Sequence, residues 1–212
     1  FERLLQRAES LIQRIETVLP QPLSEPDWQA SIAFRYRRRS NGHGRLEPVR
    51  HVAGLRLLRN APAEQTDAEV LAAWVQERHA AGQSDFLPHC LQRVLTISCV
   101  FRNAQGLRVH SWVDRDGRSE GTLIQSFFHS LDKHVPQLVS WNGGGFDLPV
   151  LHYRGLQHGV VADKYWDLGE DDREFKWNNY ISRYHHRHLD LMDLLALYQS
   201  RANAPLDAMA KL

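Results

Sequence analysis

Cysteine is scarce in this 212-residue chain, which holds only Cys90 and Cys99. Two thiols cannot build a disulfide framework, and free thiols point to a reducing cytoplasm. Long apolar runs are also lacking. No stretch approaches the ~18 consecutive apolar residues of a membrane span, so no membrane partner is expected. The opening FERLLQRAESL is charged and helix-patterned, without the apolar core of a signal peptide. No G-x-x-x-x-G-K-[ST] loop occurs, which excludes a P-loop nucleotide site. Large net charge is missing too, the formal value being +1.

That small net charge hides an uneven spread. Residues 1–60 hold 11 Arg against 6 acids, and the remaining residues hold 15 basic against 19 acidic. The basic front suits contact with phosphates, or is simply a solvated loop. The acidic remainder fits a domain that gathers carboxylates around divalent cations. Apolar residues make up 42% and charged residues 24%, the range of a globular chain. The length suits one sizeable α/β domain, or a smaller domain with an extension.

Apolar residues from Phe1 to Leu19 recur at steps of three and four, which predicts an amphipathic helix ended by Pro20 and Pro22. Residues 20–60, with the basic run Arg35-Tyr-Arg-Arg-Arg39, read as an irregular linker or arm. Asp67 is expected to cap a helix reaching about Ala81. Leu91–Phe101 and Leu107–Val113 read as antiparallel strands around a turn at Asn103. A helix is expected from Ser119 through Leu131, a short buried strand over Pro136–Trp141, and a helix over Phe146–His158. His188–Leu191 reads as a strand followed by a helix through Tyr198, and Pro205 starts a last helix. The alternation predicts an α/β mixed sheet with flanking helices.

The chemistry concentrates in Leu138-Val-Ser-Trp-Asn-Gly-Gly-Gly-Phe-Asp-Leu-Pro-Val-Leu151. A buried strand there runs into a glycine-rich turn, and a helix leaves it with Asp147 at its start. The glycines permit positive φ and close backbone approach. Open α/β sheets place ligands at this edge, where Asp147 is a good ligand for a hard cation. Asn142 can bond a sugar or terminal hydroxyl, and Phe146 can wedge against a base. In the competing reading Asp147 caps the helix and Asn142 serves the turn.

The string Trp141-Asn142-Gly-Gly-Gly-Phe146-Asp147-Leu-Pro-Val-Leu-His-Tyr-Arg154 resembles the second exonuclease motif of the bacterial predicted 3′–5′ exonucleases related to the family B DNA polymerase proofreading domain. Asp85-Phe-Leu-Pro88, Phe175-Lys-Trp-Asn-Asn-Tyr180, His188-Leu-Asp-Leu-Met-Asp193 and Arg201-Ala-Asn-Ala-Pro-Leu206 resemble further parts of the same family, from about His51 onward. The resemblance implies a DnaQ-like, RNase H-like fold and phosphodiester cleavage with two Mg²⁺ or Mn²⁺ ions. It implies Asp147 as catalytic metal ligand, and single-stranded DNA or RNA held by Trp141, Asn142, Phe146, Asn178, Asn179, Tyr180 and Arg183. Asp190 and Asp193 then either approach the metals from behind or cap the following helix. Tyr184-His-His-Arg-His188 does not have zinc-ligand spacing and reads as packing and polar contacts.

Two departures from the family stand out. Its first motif is a strand reading Asp-Ile-Glu-Thr, where this chain has Leu46-Glu-Pro-Val-Arg-His51. Its third, a Tyr-x-x-x-Asp pattern, would fall beyond residue 212. Arg14-Ile-Glu-Thr17 matches three of four letters of the first motif, but Glu16 sits on the polar face of a helical pattern and Arg14 would repel a cation. Leu11-Ile-Gln-Arg-Ile-Glu-Thr-Val-Leu-Pro20 and Leu46-Glu-Pro-Val49 instead resemble the leader of an uncharacterised AAA-type ATPase family. The expected organisation is therefore a helix and basic arm over 1–50 and a partial exonuclease-like domain over 51–212. The functional expectation is a 3′–5′ exonuclease short of carboxylates and slow or inactive, or else a nucleic-acid-binding or interaction module without catalysis.

Overall fold

The computed structural model describes residues 51–103, 106–209 and 211–212 in full, and the backbone of 29–33, 39–40 and 46–47. Five strands form one sheet: β1 (Gln29–Ala33), β4 (Thr96–Asn103), β5 (Gly106–Val113), β6 (Gln137–Ser140) and β7 (His188–Asp190). Their order across the sheet is β5-β4-β1-β6-β7. β1 pairs antiparallel with β4 and parallel with β6, and β7 continues parallel on β6. The carboxyl ends of β1, β6 and β7 therefore share one edge. A separate ribbon joins β2 (Arg39–Ser40) to β3 (Leu46–Glu47).

Helix α1 spans Val52–Arg59 and α2 spans Asp67–Ala80; α3 follows at Glu120–His134 and α4 at Leu148–His158. Shorter helices are α5 (Asp163–Trp166), α6 (Leu191–Leu195) and α7 (Leu206–Met209). Ile97 and Cys99 of β4, Leu138 of β6, Ile124, Phe127 and Leu131 of α3 and Leu151 of α4 meet in the main core. A second cluster of Leu55, Val70, Trp74, Leu87 and Leu91 lies beneath α1 and α2. Each buried side chain of this size contributes roughly 1.5–3 kcal/mol, so the α3 stripe pins that helix to the sheet.

Several expectations are corrected. Residues 20–60 are not irregular throughout, since Gln29–Ala33 is the central strand and Val52–Arg59 a helix. Among the described residues, Leu46–Glu47 at the first-motif position pairs with Arg39–Ser40 and not with the five-stranded sheet, which agrees with the missing motif. Thr66, not Asp67, caps α2: its hydroxyl accepts from Glu69 N at 3.3 Å while its own N–H donates to Glu69 Oε2 at 2.7 Å. The strand expected from Leu91 starts at Thr96, because Leu91 closes a 3₁₀ turn over His89–Leu91 and packs in the second core. The helix expected to reach Tyr198 stops at Leu195, since Leu197 and Tyr198 take left-handed φ of 50° and 60°. The helical reading of 1–19, with Glu16, falls outside the described residues. The strands at 106–113 and 137–140 and the helices at 120–134 and 148–158 stand where the sequence predicts them.

Candidate active site

At the carboxyl end of β6 the chain turns through Trp141 and Asn142 into a single π-helical turn, Gly143–Asp147, which feeds directly into α4. Asn142 takes the left-handed conformation at φ 61°, and its carbonyl accepts from Phe146 N at 3.0 Å. The glycines serve close approach rather than positive φ. A Cβ on Gly143 would lie 2.3 Å from Ser140 Oγ, and one on Gly145 would lie 2.3 Å from Asn142 Oδ1. Either contact is well inside van der Waals distance.

β7 supplies the other wall. Register places Asp190 level with Ser140 and His188 level with Leu138. Asp190 Oδ1 accepts from Asn142 N and its Oδ2 from Gly144 N, both at 2.8 Å. The Asp190 carboxylate thus fixes the glycine turn by two charge-assisted bonds. Buried His188, held below the ordinary imidazole range by that burial, bonds Ser140 Oγ through Nε2 at 2.8 Å. Of the two roles expected of Asp190, capping α6 is not fulfilled, since its side chain makes no capping bond there. Asp193 pairs instead with Arg183 at 2.7 Å.

Asp147 makes no capping bond to α4 either, which removes the helix-cap reading. Burial, with the negative charge of Asp190 adding to it, pushes its carboxyl up to about 8. The cause is physical: a carboxylate taken from water beside a like charge prefers its neutral form. Phe146 turns its ring away to pack on Phe86 at 5.4 Å and His89 at 5.3 Å, so it joins the loop before β4 to the turn. Trp141 donates its indole N–H to Ala204 O at 3.1 Å.

Trp141, Asn142, Phe146, Asp147 and Asp190 are therefore brought together on and beside the turn. Tyr180 is 1% exposed and donates its hydroxyl to Pro136 O at 2.6 Å. Pro136 precedes β6, whereas Asp147 follows it, and four extended residues separate those ends by ~13 Å. Asn179 is 6% exposed and shapes a turn, accepting from Ser182 N at 2.9 Å. Asn178 Oδ1 accepts from Arg187 N at 2.8 Å. Nucleic-acid contact by Asn179 and Tyr180 is thus corrected: their polar atoms are spent inside the protein. Arg183 remains half exposed, its guanidinium 5.1 Å from the centre of the Tyr198 ring. His185 accepts from Asn179 N at 3.0 Å, in line with the packing role expected of that histidine run.

Sequence reasoning missed the Asp190 bonds to the turn, the Ser140–His188 pair and the Phe86–Phe146 contact. Strand parity was the available signal, because Ser140 and Asp190 each end a short apolar strand.

Two-metal hydrolysis needs several carboxylates converging on ions ~3.5–4 Å apart. Among the described residues no group of three or more His, Cys, Asp or Glu is arranged to hold a metal ion. The central strand reads Gln-Ala-Ser-Ile-Ala and carries no acid. Asp147 and Asp190 alone do not fit such a pair.

A half-buried acid on a glycine turn thus lies at the carboxyl edge of a mixed α/β sheet. Residues 84–212 match a family model described as a predicted 3′–5′ exonuclease related to the exonuclease domain of PolB. That match covers more than half of the chain, which belongs to this family. No curated protein and no solved structure matches it. No helix of the described residues is long and apolar enough to cross a membrane.

Proposed function

We propose that this chain is a 3′–5′ exonuclease-like domain with the RNase H-like, DnaQ-like fold, recognising single-stranded DNA or RNA ends, and that its 212 residues cleave them slowly or not at all. The strand order β5-β4-β1-β6-β7, with β4 alone reversed, supports the fold reading. The family match supports the substrate class. Cys90 and Cys99, both free, support a reducing compartment such as the cytoplasm.

The observation that carries slow cleavage is the carboxylate deficit around Asp147. Mg²⁺ or Mn²⁺ would supply Lewis-acid chemistry in a complete site. Here the central strand contributes no acid, and each Asp190 oxygen already accepts a backbone N–H. Asp147 can hold one ion only after losing a proton that its surroundings retain to about pH 8. The second reading, a binding or interaction module without catalysis, is favoured by this same deficit.

The test uses a 3′-labelled oligonucleotide with purified protein and Mn²⁺, beside Asp147→Ala. The expected result is no shortening above the variant's background. Stepwise 3′ shortening by the parent that disappears in Asp147→Ala would overturn the slow-cleavage reading and make the site complete. Oligonucleotide binding without cleavage would favour the module.

A further inference from the structure

A cleft of about 800 Å³ opens at the carboxyl end of α4, walled in part by Arg93, Trp112, Arg118, Ser126, His129 and His158. It is distinct from the turn at Asp147. Helix α4 has 11 residues, and at 1.5 Å each its ends stand ~16 Å apart.

The one carboxylate on the cleft wall is already consumed. Glu120 Oε1 accepts from Val94 N and from Arg154 Nε, each at 2.8 Å. Its Oε2 accepts from Arg154 Nη2 at 2.5 Å and meets His158 Nε2 at 3.1 Å. Arg93 keeps one nitrogen without an acceptor. It donates to Gly117 O, but its charged neighbours Asp114 Oδ2 and Glu120 Oε2 stand at 3.7 and 3.8 Å, beyond hydrogen-bond range. Its buried Nε has no hydrogen-bond partner. Arg118 adds a second guanidinium from an exposed position. A buried donor without an acceptor is costly, and paired guanidinium groups match the oxygens of a phosphate.

The α3 wall has the opposite character. Ser126 Oγ donates to Thr122 O at 2.8 Å and Ser130 Oγ donates to Ser126 O at 3.0 Å. Their hydrogens being spent, these hydroxyls offer lone pairs, which suit a sugar hydroxyl or a base N–H rather than an anion. Trp112, whose ring packs on His110 and Phe127, lines the cleft with aromatic surface. A phosphate end, a hydroxyl-bearing middle and an aromatic ring together describe a nucleotide. We propose that this cleft binds a nucleoside monophosphate, with the phosphate on Arg93 and Arg118. The proposal does not depend on how Asp147 is read.

The probe is adenosine 5′-monophosphate, titrated calorimetrically into the whole chain with EDTA present, so that no divalent ion assists binding at Asp147. Inorganic phosphate and adenosine are the parallel arms. The nucleotide is expected to bind at least tenfold more tightly than either. Arg118→Gln, an exposed change that leaves the core untouched, should weaken it about tenfold, as loss of a charged hydrogen bond does. Ser126→Ala should weaken it less, and Asp147→Asn should leave it unchanged. Phosphate binding as tightly as the nucleotide would overturn the nucleotide reading. An unchanged affinity in Arg118→Gln, or a loss in Asp147→Asn, would overturn the location.

Discussion

At the carboxyl end of α4, Arg154 faces both oxygens of buried Glu120, and Val94 N and His158 complete the shell. At the amino end of the same helix, Asp147 faces a second carboxylate, Asp190, and among the described residues no ion pair reaches it. One helix thus separates a compensated buried ion pair from a half-buried carboxyl whose surroundings favour its protonated form. A buried pair with its bonds filled specifies packing. A half-buried carboxyl beside another carboxylate is a cost that the rest of the fold carries, and such costs gather at functional sites.

The comparison breaks most sharply at Arg154. Arg154→Met should destabilise the fold by about 3–5 kcal/mol, because buried Glu120 would lose its bidentate partner and keep only His158 and a longer contact to Arg93. Chemical denaturation measures this, and a loss below about 1 kcal/mol would mean that the cluster is not compensated by Arg154. Gly143→Ala comes next. Its Cβ would collide with Ser140 Oγ, so about 1–3 kcal/mol is expected, largely recovered when Ser140→Gly is added. Failure of the second change to recover stability would place the strain in the backbone instead.

Asp190→Asn tests the amino end directly. It replaces one accepting oxygen by an NH₂ that cannot accept from Asn142 or Gly144, at a cost of about 1–3 kcal/mol. It also removes the charge that helps raise Asp147, so the Asp147 carboxyl should titrate lower by carbon-detected NMR.

A pH trend is expected in Asp147→Asn. Between the ordinary carboxyl value of 3.8 and about 8, folded Asp147 keeps a proton that the unfolded chain releases. The parent therefore loses stability as pH rises through that window. The asparagine variant lacks this loss, so its advantage over the parent should grow from pH 4 to pH 8 and then level off. An advantage independent of pH would mean that Asp147 titrates normally.

Elements with strong periodicity were legible in the sequence. The stripe Leu123, Ile124, Phe127, Phe128 and Leu131 predicts α3 and its buried face, and all five are buried. Gln29–Ala33 was not legible. Five residues of mixed polarity just before a basic run carry little strand preference, and pairing with β4 and β6 on its two sides is what makes them a strand. At the site, Asp147 and its glycine turn were readable from local chemistry. The role of Asp190 was not, because an Asp between a strand and a helix looks like a cap until the β6–β7 register sets it level with Ser140. Tyr180 misled for a related reason, since an aromatic among Asn and Arg reads as a ligand surface until its hydroxyl is traced to Pro136.

The indole bond from Trp141 to Ala204 has a mechanical side. It ties the turn that presents Asp147 to a segment 63 positions away in sequence, just before α7. A pull or a bound partner displacing Ala204 would strip the indole of its acceptor and slacken the residue that leads into the glycine turn. The stiffness of that turn is therefore set partly from outside it, and trimming the chain ahead of Ala204 should quicken amide exchange at Asn142 and Gly144 before it melts the sheet.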